Sequence, residues 1–417
     1  MHTAEAPPTG TVAQAGAAPR APADGRVPDR IRVLHLIESL GVGGAERRLI
    51  NDLRWLDRTR YHHRVVYLTP ADQLRPELEA LGISVEWLGL RHLRQGPQAL
   101  RRLVRLFRAW RPHLVHTQVF GADVYGRVAA ALAAVPIVVS TVQTIPYDLA
   151  LRHLYSTKRR MADGWTARRL AHRLIAVSDA VREGLIRHFR MNPGRIAVIP
   201  NGVDGSRFGP DPADRQRIRR ELGLGPEEFI VLIVGRLIPE KRHELLLAAL
   251  QPLAAHAPGV RLVIAGDGPL RHALERAVQS LGLQRCVTFL GTRSDAERLY
   301  HGADAFALPS VREGSPAALV EAMASELPVL ASAIPQHGAI IDEGLTGRLI
   351  DSEAPGAWTR AFSALQRDPE RGREMARRAR LAAVSRFSAQ AFAGQLQALY
   401  DELCADRKKK TCYNMPR

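Results

Sequence analysis

The sequence predicts an α/β protein of two doubly wound, Rossmann-like domains facing each other across a deep cleft, with a C-terminal helix closing back on the first domain. Three observations carry that expectation. At 417 residues the chain is too long for one ordinary core, and its apolar and Gly/Pro content is that of a globular protein. From Ile31 onward, short β-branched runs alternate with amphipathic stretches, the mark of a parallel sheet flanked by helices. The pattern stops at the turn-forming Pro200-Asn-Gly-Val-Asp204 and the Pro/Asp-rich segment to Asp214, then restarts at Phe229.

The first unit is explicit. A strand at 32–37 leads into the glycine-rich loop Gly41-Val-Gly-Gly44 and a helix whose Leu49, Ile50, Leu53 and Leu56 share one face. Further strands are expected at 64–68, 84–88, 114–117, 137–141, 174–177 and 196–199. The second domain follows with strands at 229–234, 261–265, 287–290, 305–308 and 329–331 and helices across 358–386. An apolar-faced stretch at 389–403 is long enough for the closing helix. The implied boundaries are a disordered leader at 1–27, a first domain at 28–205, a second at 206–385, the closing helix at 386–404 and a basic disordered tail at 405–417.

Composition removes several classes. Cys286, Cys404 and Cys412 are scattered, which argues for a reducing compartment and against a disulfide or zinc framework. Residues 128–147 carry no charge, but Pro136 and Pro146 divide them into a helix end, a turn and a buried strand, so no membrane span is expected. The net charge is +17, and residues 91–173 alone hold 15 Lys and Arg against 3 Asp and Glu, so one domain has a basic face. Arg outnumbers Lys 54 to 5, a bias given no functional weight.

The chemistry centres on Glu313-Gly-Ser-Pro-Ala-Ala-Leu-Val-Glu321, where an apolar strand runs through a short loop into a helix. Ser315 suits the N-cap and Pro316 the first helical position, leaving the amides of Ala317 and Ala318 to face an anion. Carboxylates on either side would accept from sugar hydroxyls. A ligand with both phosphate and hydroxyls, such as a nucleotide sugar, fits; a capped surface helix with solvated glutamates is the alternative. After the strand at 229–234, Gly235-Arg-Leu-Ile-Pro-Glu-Lys241 places Arg236 and Lys241 on one loop, able to converge on a diphosphate and stabilise its departure. Two solvated cations are the plainer reading, more natural for Arg236 than for Lys241 in so lysine-poor a chain. The loops at Gly43-Gly44 and Gly266-Asp-Gly268 lack the third glycine of a dinucleotide fingerprint, where Glu46 and Arg271 stand, so a dehydrogenase is not expected. No Asp-x-Asp triplet and no His/Asp/Glu cluster at ligand spacing occurs, so metal independence and no cofactor are expected.

Taken together, these motifs resemble the retaining nucleotide-sugar glycosyltransferases of the GT-B fold, glycosyltransferase family 4, also known as group 1. The resemblance covers residues 31–403 and rests on Gly43-Gly-Ala-Glu46, Ser178 opening a helix, Pro200-Asn-Gly-Val-Asp204, Gly235-Arg with Lys241, Gly266-Asp-Gly-Pro269, and Glu313 with Glu321 before Ala322-Met-Ala324. It implies that Arg236 and Lys241 hold the donor diphosphate, that Glu313 binds a hydroxyl of the transferred sugar, and that Glu321 accepts from the ribose. It further implies that Gly314, Ser315, Pro316, Ala317 and Ala318 hold donor phosphate and sugar, with Gly235 and Gly266 in the same pocket, while Gly43 and Gly44 admit the other domain's backbone to the phosphates. Arg293 and Leu319 belong to the region that sets the donor base and sugar. Retaining members use front-face transfer, in which the leaving diphosphate helps deprotonate the acceptor. The sequence departs from the family at Gln118 and Gln143, where histidines are frequent; glutamine can bind a hydroxyl but cannot titrate. His116, Gln143 and Asn201 are the acceptor-side candidates, with a buried core histidine as the alternative for His116.

At 91–113, seven arginines and no acid accompany Leu100, Leu103, Val104, Phe107 and Trp110 at helical spacing. Such a helix could lie on an anionic membrane, or it could pack its apolar stripe on the sheet and leave its arginines solvated. Arg152, Lys158, Arg159, Arg160, Arg168 and Arg169 extend the basic face, which would suit a polyprenyl or other lipid-linked acceptor. No aromatic interleaving or recognition motif supports nucleic acid. The expected function is transfer of a sugar, with retention, from a nucleotide-diphosphate sugar to a glycan or lipid-linked acceptor in surface polysaccharide or glycolipid synthesis, in the cytoplasm or at the inner face of the bacterial plasma membrane. The alternatives are a nucleotide-sugar epimerase or glycoside phosphorylase on the same fold, and a non-catalytic binding module.

Overall fold

The computed structural model describes residues 30–92, 95–144, 157–256, 259–351 and 353–413. The leader expected at 1–27 and Pro146 lie outside them. Two parallel sheets form. The first contains β1 (Ile31–Ile37), β2 (Tyr61–Tyr67), β3 (Ser84–Trp87), β4 (Leu114–Gln118), β5 (Ile137–Val142), β6 (Arg173–Ala176) and β7 (Ile196–Val198), in the order β3-β2-β1-β4-β5-β6-β7. The second contains β8 (Phe229–Val234), β9 (Val260–Ala265), β10 (Val287–Gly291), β11 (Ala305–Leu308), β12 (Val329–Ser332) and β13 (Arg348–Ile350), in the order β10-β9-β8-β11-β12-β13. The strand order reverses between β1 and β4 and between β8 and β11, and each reversal opens a crevice at the carboxyl ends of the strands.

Alternation along the central strands explains why both faces of each sheet are covered. Val33 and Ile37 of β1 enter one core cluster while Leu34 and Leu36 enter the opposite one, and all four are fully buried. In β8, Ile230 and Leu232 face one cluster and Val231 and Ile233 the other. β2 starts at Tyr61, earlier than its apolar run suggests, because His63 is buried with its Nδ1 3.0 Å from His35 Nε2. The short edge strand β13 was not expected; it follows a turn at Gly344, whose φ of +74° favours glycine.

The basic helix of the first domain spans Gly96–Trp110, and its apolar stripe is in the core. Ala99, Leu103 and Phe107 are buried, with Leu100, Val104 and Trp110 packed beside them. The packed alternative therefore holds for this helix, and its apolar face is not available to a membrane. Among the described residues no helix is long and apolar enough to cross one.

The chain passes between domains twice, side by side. Val203 N donates to Phe387 O (2.8 Å) and Ala389 N to Val203 O (3.0 Å). A Cβ at Gly202 would stand 2.4 Å from Ala389 Cα, so only glycine lets the two crossings touch. The last helix, Ala389–Tyr413, then packs Phe392, Leu396, Leu399, Tyr400 and Leu403 into the core of the first domain. It runs on to Tyr413, through much of the stretch that reads as a disordered tail in the sequence.

Candidate active site

Loops leaving the carboxyl ends of both sheets enclose a cavity of about 650 Å³. On the second-domain side, β8 delivers Gly235 and Arg236. The tight turn Pro239–Lys241 then folds Lys241 back over Gly235. Val311 N donates to Glu240 O (3.0 Å), which ties this turn to the loop after β11, and Lys241 Nζ meets Glu313 Oε1 at 2.5 Å. The side chains of this pair are only 16% and 10% exposed. Burial pushes Glu313 up, but the charge and hydrogen bond of Lys241, joined by Ser310 and His337, together hold the carboxyl below its ordinary range. Arg236 is exposed on the same cavity wall and makes no ion pair among the described residues. Gly266 lines the wall with a φ of +139°, and a Cβ there would stand 1.9 Å from Gly235 O. Its loop is the bed on which the Arg236 loop lies.

The helix after β11 spans Ala317–Ala324 and starts one residue later than expected. Pro316 is the N-cap, the Ser315 hydroxyl makes no capping bond, and Ala317 N donates to Ser315 O (2.9 Å). Ser315, Pro316, Ala317 and Ala318 all line the cavity. Leu319 does not: it points inward from the helix and is fully buried in the second-domain core. Glu321 lines the cavity and accepts from the Tyr300 hydroxyl at 2.9 Å. Burial raises its carboxyl, and Tyr300, Arg47 and Arg207 only partly counter that. Gly314 is a contact between domains and does not line the cavity; a Cβ there would stand 2.2 Å from Gln143 O. Arg293 is on the wall, with its guanidinium held by Asp295 (2.8 Å) and Glu221 (3.1 Å).

On the first-domain side, Gly43 and Gly44 open the helix Gly44–Trp55 and line the cavity. Glu46 folds back over Gly43, where a Cβ would stand 2.5 Å from Oε2, and accepts from Ser39 Oγ at 3.0 Å. Gln143 and Asn201 also line the cavity and bond each other, Asn201 Nδ2 to Gln143 Oε1 at 3.2 Å. Buried Arg48 fixes Asn201 by donating to Oδ1 (2.9 Å) and to Ile199 O (2.7 Å). His116 is a correction. It is fully buried, its Nδ1 2.6 Å from the Tyr400 hydroxyl and its Nε2 2.7 Å from Thr141 Oγ1. Burial lowers its pKa to about 3. It is a core histidine that receives the closing helix.

Other lining residues had no distinct sequence signal. Arg47 grips Glu77 at 2.6 and 2.7 Å and reaches Ser294 O across the cleft. Arg207 bonds Glu297 at 2.8 Å and lies 3.6 Å from Glu77. In so arginine-rich a chain neither stands out. Asp123 and Asp163 line the first-domain side of the cavity, joined by buried Arg127, 2.7 Å from Asp163 and 3.5 Å from Asp123. Burial pushes Asp123 up to about 7. The i,i+4 spacing of Asp123 and Arg127 was the available clue. Among the described residues, no group of three or more His, Cys, Asp or Glu is placed to hold a metal.

Two family profiles match in succession, one to each domain: Glycosyltransferase Family 4 over residues 42–207 and Glycosyl transferases group 1 over residues 214–382. The chain belongs to glycosyltransferase family 4. Among its family 4 relatives is the UDP-Gal:alpha-D-GlcNAc-diphosphoundecaprenol alpha-1,3-galactosyltransferase of Escherichia coli, 32% identical over 61% of this chain and 66% of that one. Another is the D-inositol 3-phosphate glycosyltransferase of Segniliparus rotundus, 31% identical over 70% of this chain and 66% of that one. The matches thus span just under two thirds of these relatives. In three dimensions the chain resembles Anabaena Alr3699/HepE in complex with UDP-glucose, with a TM-score of 0.78 and 25% identity over 89% of this chain and 99% of that one. The two-domain GT-B architecture of family 4 is the architecture found here.

Proposed function

We propose that the protein transfers a glycosyl group, with retention, from a nucleoside-diphosphate sugar to a glycan or lipid-linked acceptor. The observation that carries this is the Lys241–Glu313 pair, set with exposed Arg236 on one wall of a cavity that also holds Glu321. The UDP-glucose complex of the Anabaena neighbour and the diphosphoundecaprenol substrate named for the E. coli relative support the two substrate classes.

In this reading the diphosphate lies against Arg236 and Lys241, Glu321 accepts from the ribose, and Glu313 accepts from a hydroxyl of the sugar. The bond from the sugar's anomeric carbon to the diphosphate oxygen breaks with its electron pair on that oxygen. The two cations stabilise the charge that develops there. The acceptor hydroxyl bonds the same carbon from the same face, and its proton passes to the departing phosphate oxygen. No divalent ion is required, since Arg236 and Lys241 carry out the charge compensation. The setting proposed is surface polysaccharide or glycolipid synthesis at the inner face of the plasma membrane. The test is a panel of nucleotide sugars incubated with lipid-linked acceptors, with NMR of the product linkage. An inverted linkage refutes retention, and absence of nucleoside-diphosphate release with every donor refutes the transferase reading.

A further inference from the structure

We infer that the outer face of the helix Thr157–Leu170 docks on an anionic lipid bilayer and presents the acceptor side of the cavity to it. The inference deepens the proposed function, resting on its lipid-linked acceptor for biological sense but not for the binding itself.

Exposure along this helix is periodic. Gly164, Thr166 and Ala167 are buried, and a Cβ at Gly164 would stand 3.1 Å from the Phe189 ring. Met161 and Trp165, four residues apart and hence on one face, are 67% and 52% exposed. Lys158 precedes them and Arg169 follows them, both exposed and within one turn of Trp165 or Met161 on the same face. The only acid in the helix, Asp163, turns inward to Arg127, so no carboxylate of the helix shares the outer face. A tryptophan and a thioether ringed by cations match the chemistry of a bilayer interface: the indole seats at headgroup level and the ammonium and guanidinium groups meet lipid phosphates.

The inner side of the helix faces the cavity. Asp163 is one of its lining residues, and Arg159 lies 5.2 Å above the ring of Phe120, which is another. A helix is about 10–12 Å across with its side chains. A headgroup held at the outer face is therefore about one helix diameter from the acceptor wall. The helix Gly96–Trp110, whose arginines are as numerous, cannot serve in the same way, because its apolar stripe is in the core.

The test is co-sedimentation of the full chain with vesicles of phosphatidylcholine alone and with phosphatidylglycerol added. Binding is expected only with phosphatidylglycerol and is expected to weaken with salt. M161S/W165S should reduce the partition coefficient at least tenfold, roughly the effect of two interfacial apolar groups. K158E/R169E should reduce it by about thirtyfold or more. Bromine-labelled lipid chains should quench the share of wild-type tryptophan fluorescence that W165F removes, and should leave the remaining fluorescence of W165F unquenched. Wild-type failure to bind anionic vesicles overturns the proposal, and so does undiminished binding by M161S/W165S. Nucleotide-sugar binding, read in parallel on the same samples, reports on the donor reading alone, so the two can fail separately.

Discussion

Lys241→Met is the sharpest probe of the site, because it changes both rate and the sign of a pH dependence. In the wild type, Lys241 holds the Glu313 carboxyl below its ordinary range despite burial. A depressed carboxyl contributes stability above its unfolded pKa and loses it as pH falls through the folded value. Without Lys241, burial is left as the main influence on a side chain only 10% exposed, and the carboxyl moves above its unfolded value. Its contribution then reverses and stability falls as pH rises from the unfolded pKa through the folded one. Removing one partner of a buried pair costs about 3–5 kcal/mol, and some of that returns when Glu313 is allowed to protonate. The melting temperature of Lys241→Met should therefore lie well below wild type at pH 7, with the gap narrowing toward pH 5. Loss of one cation from a leaving group should lower kcat by about 10²–10³. Calorimetry across that pH range and steady-state release of nucleoside diphosphate measure the two effects. A gap that does not change with pH, or a kcat within about threefold of wild type, refutes the reasoning.

Glu321→Gln should weaken donor binding by about 10–100-fold, the worth of a hydrogen bond to a charged group, measured by calorimetric titration. Since burial raises the Glu321 carboxyl, wild-type donor affinity should fall as pH drops through that raised value, and the variant should lack this step. Gly266→Ala places a Cβ against Gly235 O in a left-handed backbone, so it should lower the melting temperature by several degrees and reduce kcat with it. His116→Phe should destabilise by about 2–4 kcal/mol through the lost Tyr400 and Thr141 bonds, while kcat of the surviving fold stays near wild type. Activity should persist in EDTA after exhaustive dialysis; complete loss, restored by a divalent ion, would sink the metal-independent reading.

The parts legible in the sequence were those that repeat or that obey local rules. Strand periods, the glycine loops and the spacing of Glu313 and Glu321 located both sheets and the second-domain wall. Lys241 was visible because lysine is rare in this chain, and Arg236 because it shares the loop that leaves the same strand. What was not legible depends on distant partners. His116 reads equally well as a cleft residue or a core one until Tyr400, 284 residues later, arrives to bond it. Leu319 and Ala318 are neighbours on one short helix, and only packing decides that one turns inward. Arg47 and Arg207 look like any solvated arginine, since their roles come from Glu77 and Glu297 on other elements. Likewise the apolar stripe of Gly96–Trp110 has the pattern of a surface-seeking helix, and the sheet beneath it takes that stripe up.

The return of the chain at Val203 and Ala389 makes the first domain discontinuous in synthesis as well as in space. Its sheet is complete at Val198, yet Phe392, Leu396 and Tyr400, which finish its core, are translated about two hundred residues later. At roughly 5–20 residues per second the half-built domain waits about 10–40 s with an apolar flank uncovered. A chaperone that holds nascent chains has its natural client window there. A fragment ending near residue 205 should aggregate, whereas the same fragment supplied with residues 386–413 in trans should stay in solution.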